Sequence, residues 1–179
     1  MNKMLLLLGT MACVSGLVHA QSDCQSADGT THCRDMDQQR LVQNGQVFLN
    51  HVRILGELVV NGQLVAKQCE IGRLILNGNG RLDRVAVAHP DAIRGDLNAD
   101  QSHFESMLEV WGNHLTLSGV QSQGITMHAG ESQMPIVKLT SHTVVHGPIR
   151  FENHHGLVQI DKTIDVVPEV IGGRVEILA

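Results

Sequence analysis

The sequence predicts an all-β fold, a single-stranded β-solenoid of about seven coils of about 17 residues. Three observations predict it. Glycines recur at a nearly constant spacing, apolar residues stand around them in pairs spaced by two, and aromatic residues are scarce. The phrase LVVNG at Leu58–Gly62 returns sixteen residues later as LILNG at Leu74–Gly78.

The glycines in register are Gly45, Gly62, Gly78, Gly95, Gly112, Gly130 and Gly147, separated by 17, 16, 17, 17, 18 and 17 residues. Their flanks repeat with them. Two before each glycine stand Gln43, Val60, Leu76, Ile93, Val110, His128 and Val145. Two after stand Val47, Leu64, Gly80, Leu97, His114, Ser132 and Ile149, and four after stand Leu49, Ala66, Leu82, Ala99, Thr116, Met134 and Phe151. A third pair falls seven and nine after: Val52 and Ile54, Cys69 and Ile71, Val85 and Val87, Ser102 and Phe104, Val137 and Leu139. Residues spaced by two share one face of a β-strand. Three such pairs per period therefore make three short strands per coil, with Asn61-Gly62 and Asn77-Gly78 as corners that tolerate positive φ. Asn-Gly also closes hairpins, but hairpins do not impose a constant period. One coil cannot bury its own apolar face, whereas stacked coils pile aliphatic on aliphatic along an axis. A narrow lumen of that kind suits a chain with no tyrosine, one tryptophan and three phenylalanines.

Coils of about seventeen residues carrying a hydrophobic-x-Gly-x-hydrophobic phrase (LGEL, VNGQL, IRGDL, VHGPI) resemble the bactofilins over roughly 41–160. The resemblance implies a right-handed parallel β-helix and a structural role in which copies polymerise. Bactofilins are mostly cytoplasmic, and in this respect the chain departs from them.

The departure lies at the N-terminus. Residues 1–20 read as a secretory signal peptide: Lys3, then an apolar run to Val18, then Val18-His19-Ala20 at the cleavage position. The run is short for a membrane span. Cys13, preceded by TMA, is a poor lipidation site. The exported form, periplasmic or extracellular, loses Lys3 and carries twelve Lys plus Arg against eighteen Asp plus Glu, a formal charge of −6. That surface argues against nucleic acid as a partner, and no later segment predicts a membrane span. In residues 21–40, Cys24 and Cys33 flank the polar loop QSADGTTH. A disulfide is favoured in an oxidising compartment over free thiols or a metal pair with His32. The repeat occupies 41–160. Residues 161–179 leave it, with Pro168 and Gly172-Gly173 before a strand-like RVEIL. They are expected to cap the solenoid or to present an edge strand.

Residues that carry chemistry elsewhere do not assemble into a signature here. His114 and His128 fall in slots expected to face inward, and His146 faces outward. No HxH, HExxH or CxxC spacing occurs. Asp91, Asp96, Asp100, Glu105 and Glu109 read as a solvated outer face, with a bulge expected at Asp91. Cys69 is expected to be a buried small residue. No catalytic residue, metal ligand or cofactor is assigned, and the chain is not read as an enzyme. Trp111, one before its glycine, points outward and is the candidate binding anchor. The leading expectation is an exported structural protein that self-associates end to end or meets another envelope protein. The alternative is an adhesin-like or glycan-binding module around Trp111. A polysaccharide-acting enzyme ranks last.

Overall fold

The computed structural model describes residues 24–128 and 133–178 and contains strands, turns and no helix. The expected signal peptide lies outside the described residues. Chain order runs β1 (Cys24–Ala27), β2 (Thr30–Lys67), β3 (Glu70–Asn77), β4 (Gly80–Asp83), β5 (Ala86–Arg94) and β6 (Leu97–Asp100). It continues through β7 (His103–Phe104), β8 (Leu108–Trp111), β9 (His114–Ser118), β10 (Gln121–Ser122), β11 (Ile125–Met127) and β12 (Ile136–Thr140). Last come β13 (Val144–Val145), β14 (Ile149–Phe151), β15 (Gly156–Ile160), β16 (Val170–Ile171) and β17 (Gly173–Ile177).

These strands form three parallel ladders, so the fold is the β-solenoid that the repeat predicts. The first ladder stacks β2, β3, β5, β8, β11, β14 and β16, with Leu58 on Leu74 and Leu108 on Ile125 on Ile149. The second stacks β2, β4, β6, β9, β12, β15 and β17. The third runs through β2, β3, β5, β7, β10 and β13. Each ladder turns one row of side chains inward. Leu64 and Ala66, Leu97 and Ala99, Leu115 and Leu117, Val137 and Leu139, then Val158 and Ile160 form one such row, all buried. Burying an aliphatic of this size contributes roughly 1.5–3 kcal/mol, and the row repeats on all three faces.

Glycine sets how closely successive coils approach. Gly45, Gly62, Gly78, Gly95 and Gly112 all have a backbone carbonyl of the preceding coil's glycine where a Cβ would stand. The column begins at Gly29, whose carbonyl accepts the N–H of Gln46 at 2.9 Å. Asp91 is the residue left out where β5 passes β3, since Leu74 faces Pro90 and Ile75 faces Ala92. The bulge expected there is present.

Two expectations need correcting. His114 is not in the lumen: its side chain is 62% exposed, with Nδ1 3.4 Å from an Asp96 carboxylate oxygen. The corner after Gly112 holds one extra residue, so Leu97 pairs with Leu115, and Leu115 and Leu117 take the inward slots expected for His114 and Thr116. A one-residue slip exchanges the two faces of a strand. The second correction concerns the beat itself, which fails after Ile125. Ile149 stacks on Ile125 from 24 residues away, and Val170 on Ile149 from 21. Gly130 lies outside the described residues. Gly147 belongs to another corner, just before β14, where its Cβ would meet the Gln123 carbonyl as that of Gly72 would meet Leu55's. Val137 and Leu139 consequently sit on the second ladder, over Leu115 and Leu117, and Met134 is exposed.

Candidate functional site

Two regions stand out from the repeat: the corner that carries Trp111, and the two ends of the solenoid.

The corner is built by the residue before each glycine. Asn61 Nδ2 donates to Asn44 Oδ1 at 2.8 Å, Asn77 Nδ2 donates to Asn61 Oδ1 at 2.7 Å, and Arg94 Nη1 donates to Asn77 Oδ1 at 3.1 Å. The guanidinium of Arg94 lies 5.4 Å from the centre of the Trp111 ring. His128, one coil further, stacks on Trp111 with ring centres 4.1 Å apart and planes 4° from parallel. A single side-chain ladder therefore runs outside the lumen, from amide to guanidinium to indole to imidazole. His128 is thus corrected from an inward slot to the outer corner, because the 17-residue step that carries Arg94 to Trp111 carries Trp111 to His128. Its Nδ1 lies 2.7 Å from a Glu152 carboxylate oxygen, and its Nε2 lies 3.8 Å from one of Glu109. The spacing that would have exposed this ladder was present in the sequence as Asn-Gly, Asn-Gly, Asn-Gly, Arg-Gly and Trp-Gly.

Trp111 points outward and is 37% exposed. A groove of about 460 Å³ runs beside it, lined among others by Asn79, Asp96, Asn113 and Gln133. The indole offers this groove an edge rather than a face, since Arg94 and His128 occupy the faces on which a sugar or base would stack. The carboxylates read as an outer surface are spread apart. Asp91 pairs with Arg73 and Asp96 with His114, while Glu109 faces His128. Among the described residues no group of three or more His, Cys, Asp or Glu is placed to hold a metal ion. Cys69 is buried and donates its S–H to the Lys67 carbonyl at 3.1 Å, and burial pushes its thiol pKa up.

The ends differ from each other. At the N-terminus β1 folds back antiparallel on β2, with Cys24 opposite Cys33 and Ala27 opposite Thr30. Asp28 and Gly29 both have positive φ, 49° and 74°, as a two-residue hairpin turn requires. The Cys24–Cys33 disulfide pins the hairpin, and Cys33 and Met36 join the core beneath it. One face of the first coil, residues 30–33, is thereby covered by a short strand running against the ladder.

At the other end β17 is the last strand of its ladder among the described residues. β16 adds to β14 and β17 adds to β15, all in parallel register. No strand lies on the outer side of β17 among the described residues. Val175 and Ile177 occupy the inward slots below Val158 and Ile160, yet they are 42% and 68% exposed because no described residue stacks on them. Val166 and Val167, in the segment leading to β16, are exposed as well.

No family model matches the chain, and neither the curated proteins nor the solved structures return a match.

Proposed function

We propose that this chain is an exported structural β-solenoid, bactofilin-like in style, whose working part is its open C-terminal end. The observation that carries this reading is the edge strand β17, paired on one side only and with apolar side chains exposed in core positions. An unpaired edge over an exposed apolar layer is a template for another strand. Between the ends the coils stack on the same ladders, and a stack of this kind sets length and stiffness. The reading assigns the protein no reaction and no cofactor. Export is supported by the Cys24–Cys33 disulfide, since such bonds persist in oxidising compartments, and by the leader-like first twenty residues. The partner is a β-edge in the envelope, a second copy among them. A glycan-binding role at Trp111 is the weaker reading, because both faces of the ring are already stacked.

The test is light scattering coupled to size exclusion on the exported protein, over about a thousandfold range of concentration. Species larger than a monomer are expected, and proline substitution at Val175 is expected to abolish them, because proline has no N–H to donate. A single monomeric mass at every concentration would overturn the reading.

A further inference from the structure

The sequence of the open edge carries its own complement, and we infer that the partner of β17 is β17 of a second copy, paired antiparallel about a dyad at Val175. The inference rests on the reading of the C-terminal end as the joining site. It begins with the direction of the backbone groups. Leu178 N–H donates to the Ile160 carbonyl at 2.8 Å. In a strand the N–H and C=O of one residue point the same way and alternate along the chain. Arg174 and Glu176 therefore direct their backbone groups toward β15, while Gly173, Val175 and Ile177 direct theirs to the open edge.

A dyad perpendicular to the sheet and passing through Val175 sets Val175 opposite its own image and Gly173 opposite Ile177 of the other copy. Both are pairs in which each residue presents its N–H and C=O to the other. Arg174 then lies opposite Glu176 of the other copy, in the non-hydrogen-bonded position, where facing side chains come closest. Every charge on the edge meets its opposite, on both sides of the dyad. The same operation keeps the inner face inward, so Val175 and Ile177 of the two copies would complete one continuous lumen. A parallel pairing about a dyad along the strand would turn one copy's inner face outward. The N-terminal end differs, because there the pinned hairpin sets β1 antiparallel over residues 30–33 of the first coil.

Cross-linking tests the register. With Val175→Cys, the new thiols would face each other across the dyad at a Cα separation of about 5.5 Å, within disulfide range. Glutathione disulfide should convert that variant to a covalent dimer, and should leave Glu176→Cys unlinked. Arg174→Glu places like charges opposite each other twice and should weaken dimerisation by about tenfold or more. Adding Glu176→Arg restores opposite signs and should recover it, which a merely structural role for Arg174 does not predict. Mass that grows beyond a dimer, without cross-linking at 175, overturns the dyad while leaving self-association standing. A monomer at all concentrations, with no cross-link, overturns both.

Discussion

Gly78→Ala tests the stacking of coils at its tightest point. Gly78 has a φ of 142°, and a Cβ built on it would stand 2.7 Å from the carbonyl carbon and 3.1 Å from the Cα of Gly62, closer still to the carbonyl oxygen. All of these are backbone atoms, so no side chain can swing aside. The residue lies in a conformation that costs a non-glycine about 1–3 kcal/mol. Relieving the overlap also means moving the Gly62 and Gly78 coils apart, next to the point where Leu64 N–H donates to the Asn79 carbonyl at 2.9 Å. Losing that bond adds about 1 kcal/mol. The expected destabilisation is therefore roughly 2–4 kcal/mol. Because each coil contacts only its neighbours, the damage should uncouple the coils on either side of it. Urea unfolding followed by far-ultraviolet circular dichroism should show a lower midpoint and a broader or split transition. Gly29→Ala is the control. Gly29 has a φ of 74°, but nothing lies within 4 Å of its added Cβ, so only the conformational cost of about 1–2 kcal/mol applies. The reasoning is refuted if Gly78→Ala costs no more than Gly29→Ala.

The remaining predictions concern the disulfide, the buried thiol, the lumen and a turn carboxylate. Cys24→Ser with Cys33→Ser should lower stability by about 2–3 kcal/mol, the loop-closure value for a bridge of this span, read as a shift in urea midpoint. Cys69 should resist a thiol reagent in the native protein: with an opening free energy of about 3 kcal/mol, labelling runs more than a hundredfold slower than in urea. Leu74→Ala, in a fully buried position between Leu58 and the β5 bulge, should cost about 2–5 kcal/mol in the same unfolding assay. The Asp161 carboxyl is held below its usual pKa by the Thr163 hydroxyl and by the Thr163 N–H at 2.8 Å. A depressed carboxyl stabilises the fold above its unfolded pKa and loses that contribution as pH falls through the folded one. Asp161→Asn should therefore be less stable than the parent at pH 6, and the difference should shrink as pH falls below the ordinary carboxylate range in urea titrations.

The architecture was legible because a solenoid repeats one packing problem. Val60, Leu76, Ile93 and Val110 recur at one slot since each stacks on the last, and the sequence displays that stacking as a period. Legibility ended where the period did. His114 was misplaced by one extra corner residue, invisible to a count from Gly112, because side chains on a strand alternate faces and a single insertion inverts them. The stretch after Met127 was misplaced because the longer connection between β11 and β12 breaks the count altogether. The core survives such insertions, since the ladder pairing resumes beyond them. Ile125 still rests on Leu108, and Val137 on Leu115.

The corner and the ends were harder to read for a different reason. An inward slot is constrained by its neighbours in kind, and so it shows as a run of aliphatics. An outer column is constrained only in pairs: Asn44 suits Asn61, Asn77 suits Arg94, and Arg94 suits Trp111. Each step changes chemistry, so the column never looks like a repeat, although it keeps the same beat. The edge is less constrained still. Gly173-Arg-Val-Glu-Ile177 is five unremarkable residues until the strand on one side of it is known. That strand uses the backbone of the even residues and leaves the odd ones free. The Arg-Val-Glu word then becomes its own antiparallel complement, with both charges matched about the valine.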